Sequence, residues 1–246
     1  MSTSTVSLPA EHARPRANRA LERAFFGGLT VVLWATMLFG FAQSYFLAGT
    51  VRAPLPNKLI HVHGAVFTLW MVFLLVQTAL VTTRNVRVHR TLGIYGFLLA
   101  VLMCILGPMA AVDQLHRGHV PFGMTPQTFF VIPLTAIGLF AVFIGWSWRA
   151  RFQPAAHKRL IMLGTITIMD AAVGRWPVGL LQTHPPLQAL ILLGFVALIA
   201  LFDLIALHKI HRVTMWGFLL IAIEQFTRVP LAQTHAWQAF ANLFLR

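Results

Sequence analysis

Seven long apolar runs, each carrying at most two charges, leave this chain few alternatives to a bundle of membrane-crossing helices. A helix needs about 20 mainly apolar residues to cross the hydrocarbon core. The runs extend from Gly28 to Leu47, Leu59 to Thr83, Leu92 to Val112, Phe129 to Trp148, Leu160 to Leu181, Leu187 to Leu207 and Val213 to Gln233. The expected fold is therefore all-α, with residues 25–246 forming one seven-helix transmembrane domain. Residues 1–24, rich in Ser, Pro and Arg, read as a disordered cytoplasmic tail. The first run is too long for a signal-peptide core, so it reads as a retained anchor.

The basic residues set the orientation. With the N-terminus cytoplasmic, the inner segments hold Arg14, Arg16, Arg19 and Arg23, then Arg84, Arg87 and Arg90, then Arg149, Arg151, Lys158 and Arg159, then Lys209 and Arg212. The outer segments hold only Arg52, Lys58, Arg117 and Arg246. This bias runs loop by loop and places the C-terminus outside, as expected of a multi-pass protein of a bacterial inner (cytoplasmic) membrane. A net charge of +13 would point a soluble protein toward nucleic acid. Here the basic residues flank apolar runs, so the partner is the lipid bilayer and no nucleic acid is expected. The single cysteine, Cys104, excludes a disulfide framework or a cysteine-built metal site within the chain.

Three spans open on a histidine with a basic neighbour: His89-Arg90, His157-Lys158-Arg159 and His211-Arg212. Two of these openings continue alike, into Tyr95-Gly96-Phe97-Leu98-Leu99 and Trp216-Gly217-Phe218-Leu219-Leu220, which points to repeated helix hairpins behind an extra first helix. Positive-inside topology does not need histidine, whereas neutral imidazole is a common haem-iron ligand when two helices present it at equal depth. His89 and His157 are the expected metal-binding pair, with His211 as the alternative partner.

The stretch His61-Val62-His63-Gly64, Trp70, Gln77, Arg84, His89-Arg90 and Leu92-Gly93 resembles a family of bacterial polytopic predicted membrane proteins of unknown function. His157-Lys158-Arg159-Leu160 and the segment from Asp170 to Arg175 look like the same group, a likeness that brings no established activity. A looser similarity is to transmembrane di-haem cytochromes b. It implies haem b, with His89 and His157 as the inner ligands. An outer haem would pair His61 or His63 with His119, His184 or His235.

Charges inside the spans form a second candidate site. Asp170, Arg175, Asp203, Glu224 and Arg228 all fall within apolar runs, where such groups face the bundle interior or a water-filled cavity. Glu224 and Arg228 are four apart and share a helix face. Asp170 with Arg228 and Glu224 with Arg175 are the expected cross-helix pairs. His235 returns to nearly the Glu224 face if the helix survives Pro230. His61 and His63 diverge on a helix, so only one can face inward, and His116 with His119 offers no more than a weak zinc site.

The leading functional expectation is electron transfer through inner-face histidines, by haem b or a quinone. A proton-coupled transporter built on the intramembrane acids and arginines is the second. The third is a non-catalytic assembly or accessory subunit docking another membrane protein. Lys58, Lys158 and Lys209, the only lysines, all flank spans, which excludes a retinal pigment with its Schiff-base lysine inside the last helix. A phosphate-binding Gly-rich loop with lysine and a His-Glu-x-x-His zinc motif are absent.

Overall fold

The computed structural model describes residues 16–48, 57–118, 120–121 and 123–245. All regular structure among them is helical: α1 (Arg16–Phe41), α2 (Lys58–Thr82), α3 (Val86–Arg117), α4 (Pro126–Arg149), α5 (Pro154–Ile168), α6 (Asp170–Val173), α7 (Gly179–Thr183), α8 (Pro185–Leu207), α9 (Arg212–Ala232) and α10 (His235–Leu243). A π-helical turn, Ala42–Phe46, extends α1. The extended α1, α2, α3, α4 and α8 are long and apolar enough to cross a membrane, and the chain is a multi-pass membrane protein. Helix α1 already begins at Arg16, inside the segment expected to be an unstructured tail; Arg14, Arg52, His119 and Arg246 lie outside the described residues.

Local chemistry sets the helix starts. Asn57, Thr125 and Thr234 accept the N–H of Ile60, Thr128 and Trp237 as N-caps of α2, α4 and α10. His211 does the same for Val213 at the start of α9. Pro occupies the first turn of α4, α5 and α8, where its missing N–H leaves no helical bond unmade.

Helix α5 is the hub. It has only 15 residues, about 22 Å at 1.5 Å per residue, and is surrounded by protein. Arg159, Leu160, Leu163, Thr165 and Ile166 are fully buried. On one side Thr30 of α1 lies against Met162, and the Trp70 indole of α2 donates to Thr165 Oγ1 at 3.2 Å. On the other, Gly164 lets Phe143 and Ile144 of α4 approach, and Gly217 of α9 makes room for Leu163. A side chain at Gly217 would overlap Leu163, which explains a glycine at this helix crossing.

Two expectations need correction. The run from Leu160 to Leu181 is not one helix: α5 ends at Ile168, the chain tightens through Met169 N–H to Ile166 O (3.0 Å), and α6 and α7 follow as short pieces. Pro177, flanked by Gly174 and Gly179, prevents a continuous helix beyond Arg175. Helix α6 is held against α1 where Gly40 sits directly on the Ala172 carbonyl and where Trp176 donates to Thr36 O at 3.3 Å. The second correction concerns His235. Helix α9 runs past Pro230 to Ala232, but Thr234 then caps a separate helix, so exposed His235 opens α10 instead of continuing the Glu224 face. The Trp237 indole of α10 donates to Gln127 O at 2.8 Å, folding that helix onto α4.

Two buried charge clusters as the candidate functional site

The intramembrane charges separate into two clusters of different character, both reached from the α5–α6 segment. The first joins α5, α8 and α9. Arg159 Nε donates to Asp203 Oδ1 at 3.0 Å, a second guanidinium nitrogen pairs with the same oxygen, and the third donates to Ala155 O at 2.7 Å. Asp203 Oδ2 accepts from the His211 backbone N–H at 3.0 Å and from Thr214 Oγ1 at 2.5 Å. Both charged side chains have zero solvent exposure. Every guanidinium nitrogen and both carboxylate oxygens are engaged, which is what a buried ion pair needs to offset its desolvation. His208 closes α8 in the left-handed region (φ 54°), and the turn to α9 brings His211 back over Asp203. Beside this cluster Lys158 pairs with Glu22 of α1 and stands over the Phe26 ring.

The second cluster joins α6, α9 and α4. Arg228 grips Asp170 through two nitrogens, at 2.5 and 3.4 Å. Glu224 lies 3.5 Å from the same guanidinium, at the limit of a hydrogen bond. It is held more closely by neutral donors, Thr135 Oγ1 at 2.6 Å and Gln225 Nε2 at 2.8 Å. Side-chain exposures of Arg228, Asp170 and Glu224 are 7%, 5% and 10%. Two carboxylates therefore share one guanidinium away from water. The cluster also has loose ends: Arg228 Nε and Gln225 Oε1 are buried and make no hydrogen bond. Each such atom costs about 1–3 kcal/mol when left buried, so this cluster is less completely paired within the protein than the first.

Of the sequence expectations, Asp170 with Arg228 is a pair, and Glu224 with Arg228 is a weaker one. Arg175 does not join Glu224. It follows the α6 break, where its guanidinium donates to Ala171 O at 2.7 Å and stacks 4.9 Å from the Phe41 ring. Asp203 finds its partner in Arg159, which in the sequence stands among the topology-setting cations and in the His157-Lys158-Arg159 opening. Arg159 immediately precedes the apolar run that starts at Leu160, and only the helix start at Pro154 draws it into the bundle. Thr135, Thr214 and Gln225 carry no signal of their own in an apolar run.

The histidines with equivalent sequence positions have three different local roles. With its amide nitrogen toward His89, Gln77 of α2 donates to His89 Nδ1 at 2.6 Å and to its carbonyl at 3.2 Å, and accepts from Gly93 N at 3.1 Å. In that arrangement the His89 proton sits on Nε2. His157 Nδ1 lies 2.9 Å from Ser147 O of α4, so it donates and leaves the Nε2 lone pair available. His211 Nδ1 accepts from Val213 N at 3.1 Å. An axial ligand needs a nitrogen lone pair toward the metal and an N–H toward a carbonyl or carboxylate. His157 fits that requirement for haem; His89 fits it in the arrangement in which Nδ1 donates to the Gln77 amide oxygen, and not in the one in which Nδ1 accepts from the amide nitrogen. His63 is half-buried against Phe67 (ring centroids 4.1 Å) with its Nδ1 unbonded, while His61 is exposed beside Tyr45. His116 and His184 are exposed. Among the described residues no group of three or more His, Cys, Asp or Glu side chains is placed to hold a metal ion.

The protein-family models, the curated proteins and the solved structures searched give no match to this chain.

Proposed function

We propose that the chain is a seven-span bacterial inner-membrane protein, N-terminus cytoplasmic and C-terminus outside, that couples movement of a substrate to protons through the Asp170–Glu224–Arg228 cluster. In this reading the α5–α7 segment is the fifth crossing and α9 the seventh. Helix α5 and the start of α6, through Val173, are mostly packed in protein, while the irregular stretch around Pro177 is exposed; irregular backbone at that place belongs at the membrane surface or along a water-lined cavity. Discontinuous helices carrying charged groups near their break are how many secondary transporters build a binding site.

One observation carries the proposal: of two buried clusters on the same segment, one has every polar atom paired and the other retains an unmatched carboxylate charge and two unbonded polar atoms. The first is completely paired within the protein, and the second leaves Glu224 without a close cation. The test is proton flux into proteoliposomes under an imposed pH difference, read by an entrapped pH dye. Wild-type protein should conduct or exchange protons above protein-free vesicles, and Glu224→Gln should reduce this at least about tenfold while the protein remains folded by circular dichroism. Flux indistinguishable from empty vesicles across candidate small-molecule substrates removes the proposal.

A second reading, redox, is favoured by the His157 geometry alone, since its Nδ1 contact with the Ser147 carbonyl prepares Nε2 as a ligand. His89 would complete the pair by donating Nδ1–H to the Gln77 amide oxygen, and a quinone would need neither. A Soret band in protein purified from haem-replete cells, lost in His157→Ala, would establish it; a colourless preparation removes the haem form.

A further inference from the structure

We infer that Glu224, and not Asp170, is the group in the second cluster that takes up and releases a single proton, with Thr135 as its hydrogen-bond relay. The inference rests on the proton-coupled reading and assigns the proton to one atom.

Thr135 Oγ1 has one hydrogen and two acceptors in reach: its own helix's Ile132 O at 3.2 Å and Glu224 Oε1 at 2.6 Å. It can serve only one of them at a time. With Glu224 ionised, the Thr135 hydroxyl turns to the carboxylate and the Ile132 contact is lost. With a proton on Oε1, Glu224 donates to Thr135 Oγ1, and Thr135 donates onward to Ile132 O. All contacts in the chain are then made at once.

Charge distribution assigns the proton to the same residue. Arg228 faces Asp170 with two nitrogens and Glu224 with one distant one, so the guanidinium charge is committed to Asp170. The charged groups acting on Glu224 are Arg228 from α9 and Asp170 from α6; α4 brings only the neutral Thr135, and α9 adds neutral Gln225. Arg175 adds its positive charge at Asp170 and not at Glu224, so Glu224 is the carboxylate left without a committed cation, and a proton there removes its charge. The step is a simple transfer: an O–H bond forms at Oε1 with a proton supplied by water from one end of the bundle. The same bond breaks to return the proton to water at the other end. The hydroxyl reorientation at Thr135 couples the two states of Glu224 to α4, which packs against both α3 and α5.

Infrared difference spectroscopy on the reconstituted protein, titrated with pH in H2O and D2O, tests the assignment. A protonated-carboxyl C=O band should appear as pH falls, shift in D2O, and vanish in Glu224→Gln. Thr135→Val, which removes the acceptor, should move the band to higher frequency, and Thr135→Ser should leave it in place. Absence of the band from the folded wild type, or its survival in Glu224→Gln, overturns the inference. So does an unchanged band in Thr135→Val. The two levels separate cleanly. A Glu224 band without proton flux in vesicles supports the site and removes the transport reading. Flux without the band supports transport and removes the site.

Discussion

Asp203→Ala is the most informative single perturbation of the bundle, because the structure defines what it strands. The substitution leaves two nitrogens of the fully buried Arg159 guanidinium, the His211 backbone N–H and the Thr214 hydroxyl without their acceptor. Removing one member of a buried ion pair costs about 3–5 kcal/mol. Stranding a neutral buried donor adds about 1–3 kcal/mol, less for Thr214, whose hydroxyl can rotate. A total of about 5 kcal/mol follows, and at about 2–4 °C per kcal/mol for a chain of this size the melting temperature in detergent should fall by about 10–20 °C. Arg159→Met should cost less, because Asp203 keeps two donors and can become neutral by taking a proton. The double variant Arg159→Met, Asp203→Leu should recover part of the loss, giving a coupling energy of at least about 2 kcal/mol. The assay is intrinsic tryptophan fluorescence during a thermal ramp on all four proteins. Single variants that each lower the melting temperature by under about 3 °C, or effects that simply add, would refute the reasoning that this pair holds α5, α8 and α9 together.

The second cluster should respond asymmetrically. Arg228→Met strands both carboxylates and should cost about 3–5 kcal/mol, whereas Glu224→Gln keeps its Thr135 contact and should cost under about 1 kcal/mol, checked by the same thermal ramp. Gly40→Ala places a methyl into the Ala172 backbone carbonyl and should destabilise by about 2 kcal/mol or more, while Gly28→Ala enters open space and should be neutral or slightly stabilising. Size-exclusion recovery after mild heating distinguishes them. Reporter fusions after Arg87, Gln153 and Lys209 should read cytoplasmic, and one at Arg246 should read outside; a cytoplasmic C-terminus contradicts the seven-span topology.

Helices that face lipid were legible and the helix that faces only protein was not. The extended α1, α2, α3, α4 and α8 coincide with apolar runs because a lipid-facing surface demands continuous hydrophobicity. Helix α5 needs no such surface, so Arg159, Thr165 and Thr167 can occupy its interior positions, and its end was masked by the apolar residues that follow. Pro177 between Gly174 and Gly179 was the visible signal for that end. Of the site, Asp170 with Arg228 could be proposed because charges in a span must find opposite charges. Glu224 with Arg175 could not survive the break at α6, which depends on backbone geometry outside any helical wheel. The histidines repeat because each marks a helix entrance, where Gln77, Ser147 O and Val213 N each engage the Nδ1 atom, two of them as donors to it and Ser147 O as its acceptor.

The shortness and burial of α5 also determine how the chain can be made. As this segment leaves the ribosome, Arg159 and Asp170 have not yet met Asp203 and Arg228, and a charge such as Asp170 costs about 2.5–3.5 kcal/mol at the helix centre on the insertion scale. Their partners, Asp203 and Arg228, are synthesised only with α8 and α9. Stable insertion of α5 therefore waits for the last third of the chain, and assembly is completed from the C-terminal side inward. Nascent chains truncated after Gln182 should leave α5 extractable or protease-accessible, and chains extended through Gln233 should protect it.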